Sequence, residues 1–168
     1  MAIDEEAFRE AFATQYDDLT RFVRRRSDPA QAEDVVEETF LTLWQQRRMP
    51  EPVRPWLFAT ARNLMLNADR RRRRRDGLAV RIAGYLDQEP VDRTGESDVR
   101  MDVIAAWRGL AAADQEVLAL DVWEDLPAAE AAQVLGCSRP AYLMRLSRAR
   151  ARLRPLLQDL PAHLTATV

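Results

Sequence analysis

The sequence predicts an all-α protein in which a flexible linker joins two small helical domains. Apolar residues recur at three- and four-residue spacing over most of the chain, which is typical of amphipathic helices. Prolines and one glycine stand where helices begin and end. Residues 77–97 contain Gly and Pro without a sustained period, and they separate the two helical parts. We therefore assign a first domain to 1–76, a linker to 77–97, a second domain to 98–160 and a tail to 161–168.

The composition is that of a water-soluble globular protein. The chain has 168 residues, of which 47% are hydrophobic and 31% charged. No apolar run approaches the roughly 20 residues of a membrane helix, and the beginning, MAIDEEAF, lacks the apolar part of a secretory signal. We expect a cytoplasmic protein with no membrane insertion. Cys137 is the only cysteine and His163 the only histidine, so we expect no metal site, no cofactor and no enzyme activity.

The net charge of −2 hides a segregation of charge along the chain. Acidic residues are concentrated in 4–18 and 28–51, whereas arginines are concentrated in 62–75 and 139–154. A basic surface can bind phosphate although the whole chain is acidic, because the local field decides binding. The acidic segments are suited to a basic partner.

The first domain is predicted to contain three helices. The first covers about 4–26, and its apolar face is Phe8, Phe12, Tyr16, Leu19 and Phe22 or Val23. The second begins at Asp28 and Pro29, an N-cap followed by proline, with Gln31 placed to complete a capping box. It runs to about residue 46, with an inner face of Ala32, Val36, Phe40 and Leu43. Prolines 50, 52 and 55 end this helix and lead into the third.

The third helix begins at Pro55 and carries two different faces. The apolar face, expected to be buried, is Leu57, Ala61, Leu64 and Ala68. The other face is Trp56, Thr60, Asn63, Asn67, Arg70 and Arg71, and it leads into a run of arginines. Amide groups match base edges, aromatic rings stack on unpaired bases and guanidinium groups bind phosphates. This face predicts a nucleic-acid surface; the alternatives are a solvated helix end and, for Trp56, core packing.

The second domain carries the pattern of a helix-turn-helix. A helix over about 114–124 precedes a short one that Pro127 opens. Gly136 suits a left-handed C-cap, and Ser138 suits the N-cap of the last helix. The inner face of that helix is Tyr142, Leu146, Ala149 and Leu153, and its arginines are Arg139, Arg145, Arg148, Arg150, Arg152 and Arg154. A basic second helix after a glycine turn favours DNA binding over a plain helical hairpin.

Three segments resemble the extracytoplasmic function (ECF) group of bacterial sigma factors: AEDVVEETFLTLW (32–44), WLFATARNLMLNADRRRR (56–73) and AAQVLGCSRPAYLMRLSRARARL (131–153). The resemblance covers nearly the whole chain in the family's order. It implies that the first domain is region 2, which binds the β′ clamp helices of core RNA polymerase and recognises and melts the −10 promoter element. The second domain would be region 4, which binds the β flap and reads the −35 element. An anti-sigma factor is implied as a further partner.

The resemblance also assigns roles to individual residues. The residues expected to bind core RNA polymerase are Asp34, Glu37, Glu38 and Leu41. Those expected to bind −10 DNA are Trp56, Arg62, Asn63, Asn67, Arg70, Arg71, Arg72 and Arg73, with Asn63 where the family captures a flipped base. Those expected to bind −35 DNA are Arg139, Ala141, Leu143, Met144, Arg145 and Arg148.

The chain departs from the family's pattern at three places, one of which is Pro127, where the family commonly has the serine that caps the first helix of the helix-turn-helix. The usual D-x-x-Q-E has Glu37 in place of glutamine, which adds charge to the polymerase-binding face. Leu143 and Met144 stand where the family places a basic and a small polar residue. Apolar side chains can contact thymine methyl groups but cannot bond a phosphate. Either the −35 sequence is unusual, region 4 relies on its arginines, or this pair contacts a protein.

The main functional alternative is a stand-alone helix-turn-helix regulator that binds an operator directly, as a dimer. Such a regulator would carry a dimerisation or sensor segment, and none is visible in the sequence.

Overall fold

The computed structural model describes residues 3–71 and 103–157, and these residues form helices and no strands. The helices are α1 Glu5–Arg24, α2 Pro29–Trp44, α3 Val53–Arg71, α4 at 103–108, α5 Ala112–Val122, α6 Ala128–Leu135 and α7 Arg139–Leu156. The prediction of an all-α protein is confirmed. The predicted linker, the tail at 161–168, and Arg72 and Arg73 lie outside the described residues. Within the described ranges, no helix has the length and apolar character needed to cross a membrane.

Helix α1 begins after an N-cap at Asp4. The Asp4 carboxylate accepts a hydrogen bond from the Ala7 N–H at 3.4 Å. Of its predicted apolar face, Leu19, Phe22 and Val23 are buried and Phe8 is half-buried. Phe12 and Tyr16 remain 41% and 39% exposed, because their rings pack on the neighbouring helix α2 from one side only.

Helix α2 begins at the predicted cap. The Asp28 carboxylate accepts a hydrogen bond from the Ala30 N–H at 3.2 Å, and Pro29 occupies the first turn. Gln31 bonds Asp28 through its backbone N–H, and its side chain makes no hydrogen bond among the described residues, so the capping box does not form. The predicted inner face is confirmed, since all its members are buried: Ala32, Val36, Phe40 and Leu43.

Helix α3 lies between the α1–α2 pair and α6, and this position rotates its buried face relative to the prediction. Leu57 and Ala61 are buried as predicted, but Leu64 and Ala68 are only half-buried. Phe58 and Met65 take their places in the core. The reason is a ring contact that the sequence does not encode locally: Phe58 stacks on Phe22 of α1, with centroids 4.4 Å apart and planes inclined by 14°.

The helix-turn-helix of α6 and α7 is confirmed in its details. Gly136 ends α6 in the left-handed region, with φ at 63°, where a side chain would be strained. The Ser138 hydroxyl accepts a hydrogen bond from the Ala141 N–H at 3.3 Å and so caps α7. Tyr142, Leu146 and Ala149 are buried against the rest of the domain as predicted, whereas Leu153 is only half-buried.

The buried phenol of Tyr142 gives the protein an expected alkaline sensitivity. Burial, with the Asp121 carboxylate adding to it and Arg150 opposing it, raises the pKa of Tyr142 to about 12 from 10.0. The neutral phenol therefore contributes stability that is complete below pH 10 and is lost as the pH rises through 12. We expect the free energy of unfolding to fall by about 2 kcal/mol across this window.

Tyr142→Phe is expected to abolish this fall, because phenylalanine has no proton to lose. Denaturant titrations at several pH values measure it, and the exposed Tyr16→Phe serves as the control that keeps the wild-type profile. Identical alkaline profiles for wild type and Tyr142→Phe would contradict the assignment.

Candidate functional site

The residues predicted to bind RNA polymerase lie together on the exposed face of α2, which we call the acidic face: Asp34, Glu37, Glu38 and Leu41. Their spacing of three and four residues aligns them along the helix. The opposite side of α2 is buried in the domain core. Among the described residues, none of the three carboxylates has an ion-pair partner, so their charge faces solvent.

An apolar patch borders the acidic face; its residues Phe12 and Tyr16 were predicted only as part of the apolar face of α1, and no role was predicted for Trp44. We define the apolar patch as Phe12, Tyr16, Leu41 and Trp44, which are 41%, 39%, 60% and 38% exposed. Trp44 lies three residues after Leu41 on α2, and the centroid of its ring is 5.0 Å from that of Phe8 on α1. Helical spacing predicted that Phe12 and Tyr16 share one side of α1, but it could not predict that this side remains exposed to solvent.

The polar face of α3 divides into exposed and buried parts. Asn63 and Asn67 are exposed, and one helical turn separates them on the same face. Trp56 is half-buried and packs against the core, which favours its structural interpretation. Arg70 and Arg71 are the last two residues of α3, and their backbone continues the helix beyond Asn67.

Arg62 differs from the other predicted −10 residues because it lies between the two domains. Its side chain is 22% exposed, and its Nε lies 3.7 Å from Oε2 of Glu116 on α5. It lines a cleft of about 500 Å³ together with Arg145 and Arg148 of α7. The structure therefore brings one predicted −10 residue and two predicted −35 residues to the same cleft.

The recognition helix α7 presents a mixed surface. Arg139, Arg145 and Arg148 are exposed, and Ala141 is half-buried. Leu143 and Met144 are 42% and 53% exposed, so neither belongs to the core.

Two further arginines of α7 are held by carboxylates of α5. Arg150 Nη2 donates to Asp121 at 2.6 Å, and Arg152 Nη1 donates to Asp114 at 2.7 Å. These pairs hold α7 against α5, whereas Arg139, Arg145 and Arg148 are exposed.

A buried group of charges joins the two domains, and sequence reasoning missed it. We call it the interdomain network: Arg25 and Arg26 after α1, with Glu116 and Glu124 of the second domain. All four side chains are at most 7% exposed. Arg26 donates from Nε to Glu116 and from Nη1 to Glu124, each at 2.9 Å. Arg25 donates from Nη1 to Glu124 at 2.8 Å.

The chain matches the family models of Sigma-70 region 2 over residues 12–75 and Sigma-70 region 4 over residues 100–153. It is 32% identical over 143 residues to the ECF RNA polymerase sigma factor SigL of Mycobacterium tuberculosis, which covers 82% of this chain and 81% of the relative. It is 27% identical over 160 residues to the ECF RNA polymerase sigma factor SigM of Bacillus subtilis, covering 93% of this chain and 95% of that one.

Solved structures agree with these sequence relationships. CnrH, solved in complex with the cytosolic domain of CnrY, has a TM-score of 0.63 and 26% identity, covering 94% of this chain and 92% of that one. The sigma factor RpoE of Bartonella quintana has the same fold, with a TM-score of 0.65 and 24% identity over 93% of this chain and 99% of that one. The order of the two matched regions and the identity to SigL lead to one conclusion. The chain belongs to the ECF group of RNA polymerase sigma factors, the proteins that direct RNA polymerase to promoters and initiate transcription.

Proposed function

We propose that the first domain, residues 1–76, binds core RNA polymerase and the −10 element, and that the second domain, 98–160, binds the β flap and the −35 element. On this proposal the protein is a binding factor and not an enzyme, and it acts in the cytoplasm, where bacterial RNA polymerase transcribes. The observation that carries the proposal is the acidic face, whose carboxylates have no ion-pair partner in the described part of the chain and border an exposed apolar patch.

The acidic face and the apolar patch suit a basic partner surface with an apolar centre, such as a pair of polymerase clamp helices. Opposite charges speed the encounter and orient the partners. The exposed side chains of Leu41 and Trp44 provide apolar area, which slows dissociation once the contact has formed. Charge and apolar area thus act on different steps of the same association.

We assign −10 recognition to the exposed amides of α3. Asn63 and Asn67 can each donate and accept a hydrogen bond, which suits the edge of an unpaired base. Extruding a base from the duplex costs a few kcal/mol, and contacts in a pocket on the protein offset this cost. The arginines that end α3 lie next to these amides along the chain and are suited to the phosphates of the separated strand.

We assign −35 recognition to α7. Arg139, Arg145 and Arg148 are exposed on this helix and suit the phosphates on either side of a major groove. Leu143 and Met144 are exposed between them and suit thymine methyl groups, which are the apolar feature of that groove. A −35 element containing thymine at the contacted positions is therefore expected.

We further propose an anti-sigma factor as a partner. CnrH was solved with the cytosolic domain of CnrY, and RpoE of Bartonella quintana was solved with the anti-sigma factor NepR. The exposed apolar patch of this chain supports a protein partner that covers it when polymerase is absent.

Asn63→Ala tests the −10 assignment. We expect promoter opening to become about 10- to 100-fold less favourable, which corresponds to the roughly 1–3 kcal/mol of one good base contact. Affinity for core RNA polymerase is expected to stay unchanged, because Asn63 lies on α3 and the acidic face lies on α2. Reactivity of unpaired thymines in the polymerase–promoter complex measures opening, and a polymerase-binding titration measures assembly.

The control for this experiment is Gln133→Ala, which removes another exposed amide from a helix to which we assign no promoter contact. It should leave both opening and assembly as in wild type. If Asn63→Ala reduces polymerase affinity as much as opening, or reduces neither, the base-capture assignment is wrong.

A further inference from the structure

In the interdomain network, three of the four carboxylate oxygens of Glu116 and Glu124 accept a hydrogen bond from Arg25 or Arg26. Oε1 of Glu116 lies 2.9 Å from Arg26 Nε and its Oε2 lies 3.7 Å from Arg62 Nε. Oε1 of Glu124 lies 2.9 Å from Arg26 Nη1 and its Oε2 lies 2.8 Å from Arg25 Nη1. Three arginines of the first domain thus face two glutamates of the second, in an interface that is closed to solvent at its centre.

The network is reinforced by contacts that fix the arginines in place. The guanidinium of Arg26 lies over the Phe22 ring at 3.8 Å, and its Nη1 also donates to the Phe22 carbonyl at 3.0 Å. Arg25 lies over the Trp123 ring of the second domain at 5.8 Å. Arg54, in the first turn of α3, donates to the Glu124 carbonyl at 2.9 Å. These contacts give the closed arrangement one defined geometry.

This geometry occupies an arginine that promoter DNA needs. Oε2 of Glu116 lies 3.7 Å from Arg62 Nε, and the paired side chains of Asp114 and Arg152 line the same cleft. Arg145 and Arg148 also line this cleft. DNA cannot contact both α3 and α7 fully while these helices line one cleft about 500 Å³ in volume.

The interface also includes the packing of α3 against α6, and its charged part is suited to reversible opening. Forming it removes charges from water, and the ion pairs offset that cost without a large surplus. When the domains separate, arginines and glutamates regain hydration, whereas an apolar interface of the same size would expose surface that water disfavours. The network therefore selects one closed arrangement while leaving the open one accessible.

We propose that the interdomain network is an autoinhibitory contact, in which Glu116 and Glu124 hold the first domain against the second and withhold Arg62 from DNA until the domains separate on RNA polymerase. The proposal rests on the proposed function only in assigning Arg62, Arg145 and Arg148 to promoter DNA. The closed arrangement itself is independent of that assignment and is measured without DNA.

The decisive variant is Arg25→Gln with Arg26→Gln, because loss of charge and loss of the contact are expected to change the affinity for DNA in opposite directions. The variant removes two positive charges, so simple electrostatics predicts weaker DNA binding. Loss of the autoinhibitory contact predicts tighter binding of the free protein to a fluorescein-labelled DNA duplex of random sequence. We expect about a 10- to 100-fold gain, the factor by which a closed form populated at about 90–99% lowers apparent affinity. Small-angle scattering of the same samples should give a larger radius of gyration.

The matched control is Arg21→Gln with Arg24→Gln, which removes the same two charges from exposed positions of α1. This control variant should keep the radius of gyration of the wild type and should bind DNA no more tightly than the wild type. Glu116→Gln with Glu124→Gln opens the same contact from the second domain and should reproduce the expansion if the arginine variant fails to fold. Far-ultraviolet circular dichroism verifies that helices persist in each variant.

Two results would overturn the proposal. An unchanged radius in both network variants would mean that the network does not hold the domains together. Expansion without a gain in DNA affinity would mean that the contact is structural and not autoinhibitory. Failure of the proposed function is distinguishable, because no variant or wild type would then direct core RNA polymerase to a promoter, whatever its shape.

Discussion

Reversing the charge of Asp34 and Glu38 together, as Asp34→Arg with Glu38→Arg, is expected to weaken binding to core RNA polymerase by about 100-fold. Both side chains are exposed on α2 and neither has an ion-pair partner in the described part of the chain, so the change acts directly on the partner. Placing like charges against a basic surface costs several kcal/mol, and about 3 kcal/mol corresponds to this factor. Fluorescence titration of labelled protein with core enzyme measures the affinity.

The control is Glu10→Arg with Asp17→Arg, which makes the same change in charge on α1. Both residues are exposed, and they stand on the side of α1 opposite to its aromatic residues. Affinity for core enzyme should remain near wild type. Equal weakening by both double variants would indicate an effect of net charge, and unchanged affinity in the α2 variant would place the polymerase contact elsewhere.

Phe58→Ala is expected to lower the free energy of unfolding by about 3–5 kcal/mol, the usual cost of emptying a buried aromatic site. The Phe58 ring is fully buried and stacks on Phe22, so its removal leaves a cavity between α1 and α3. Denaturant titration followed by circular dichroism measures the loss.

Phe12→Ala removes the same side chain from the apolar patch and separates core packing from surface function. Phe12 is 41% exposed, so its loss should cost about 1–2 kcal/mol of stability, less than Phe58→Ala, while weakening polymerase binding. A cost as large as that of Phe58→Ala would mean that the ring belongs to the core. The apolar patch would then not be an open surface.

Features that depend on neighbouring residues were predictable from the sequence. The Asp28 cap, the left-handed Gly136 and the Ser138 cap depend on residues within a few positions of the backbone they complete. The buried face of α2 followed from periodicity alone. The helix-turn-helix could therefore be located to within a few residues.

Features that depend on distant residues were not predictable. Periodicity gave α3 an apolar side, but the stacking of Phe58 on Phe22 decided which residues of that side were covered. Arg25 and Glu124 meet across 99 positions of the chain, and such a pair leaves no periodic signal. Arg62 is a similar case. Its motif predicts a phosphate contact, but in the folded chain its Nε lies 3.7 Å from Glu116, a residue that is distant in sequence.

The candidate site was predictable where a residue's identity alone defines its chemistry. Exposed carboxylates on α2 and exposed amides on α3 stand where the sequence placed them. For Trp56, the sequence already favoured core packing over base stacking, and the ring does pack against the core. The exposure of Phe12 and Tyr16 depends on how the other helices pack around them, which no local sequence pattern encodes.

The most direct test of the central claim is transcription by purified core RNA polymerase from a library of promoter fragments, with and without this protein. Transcripts that start at defined positions only when both are present are the expected result, and they should require the acidic face. Absence of polymerase binding, together with sequence-specific operator binding by the free protein, would contradict the claim and favour a stand-alone helix-turn-helix regulator.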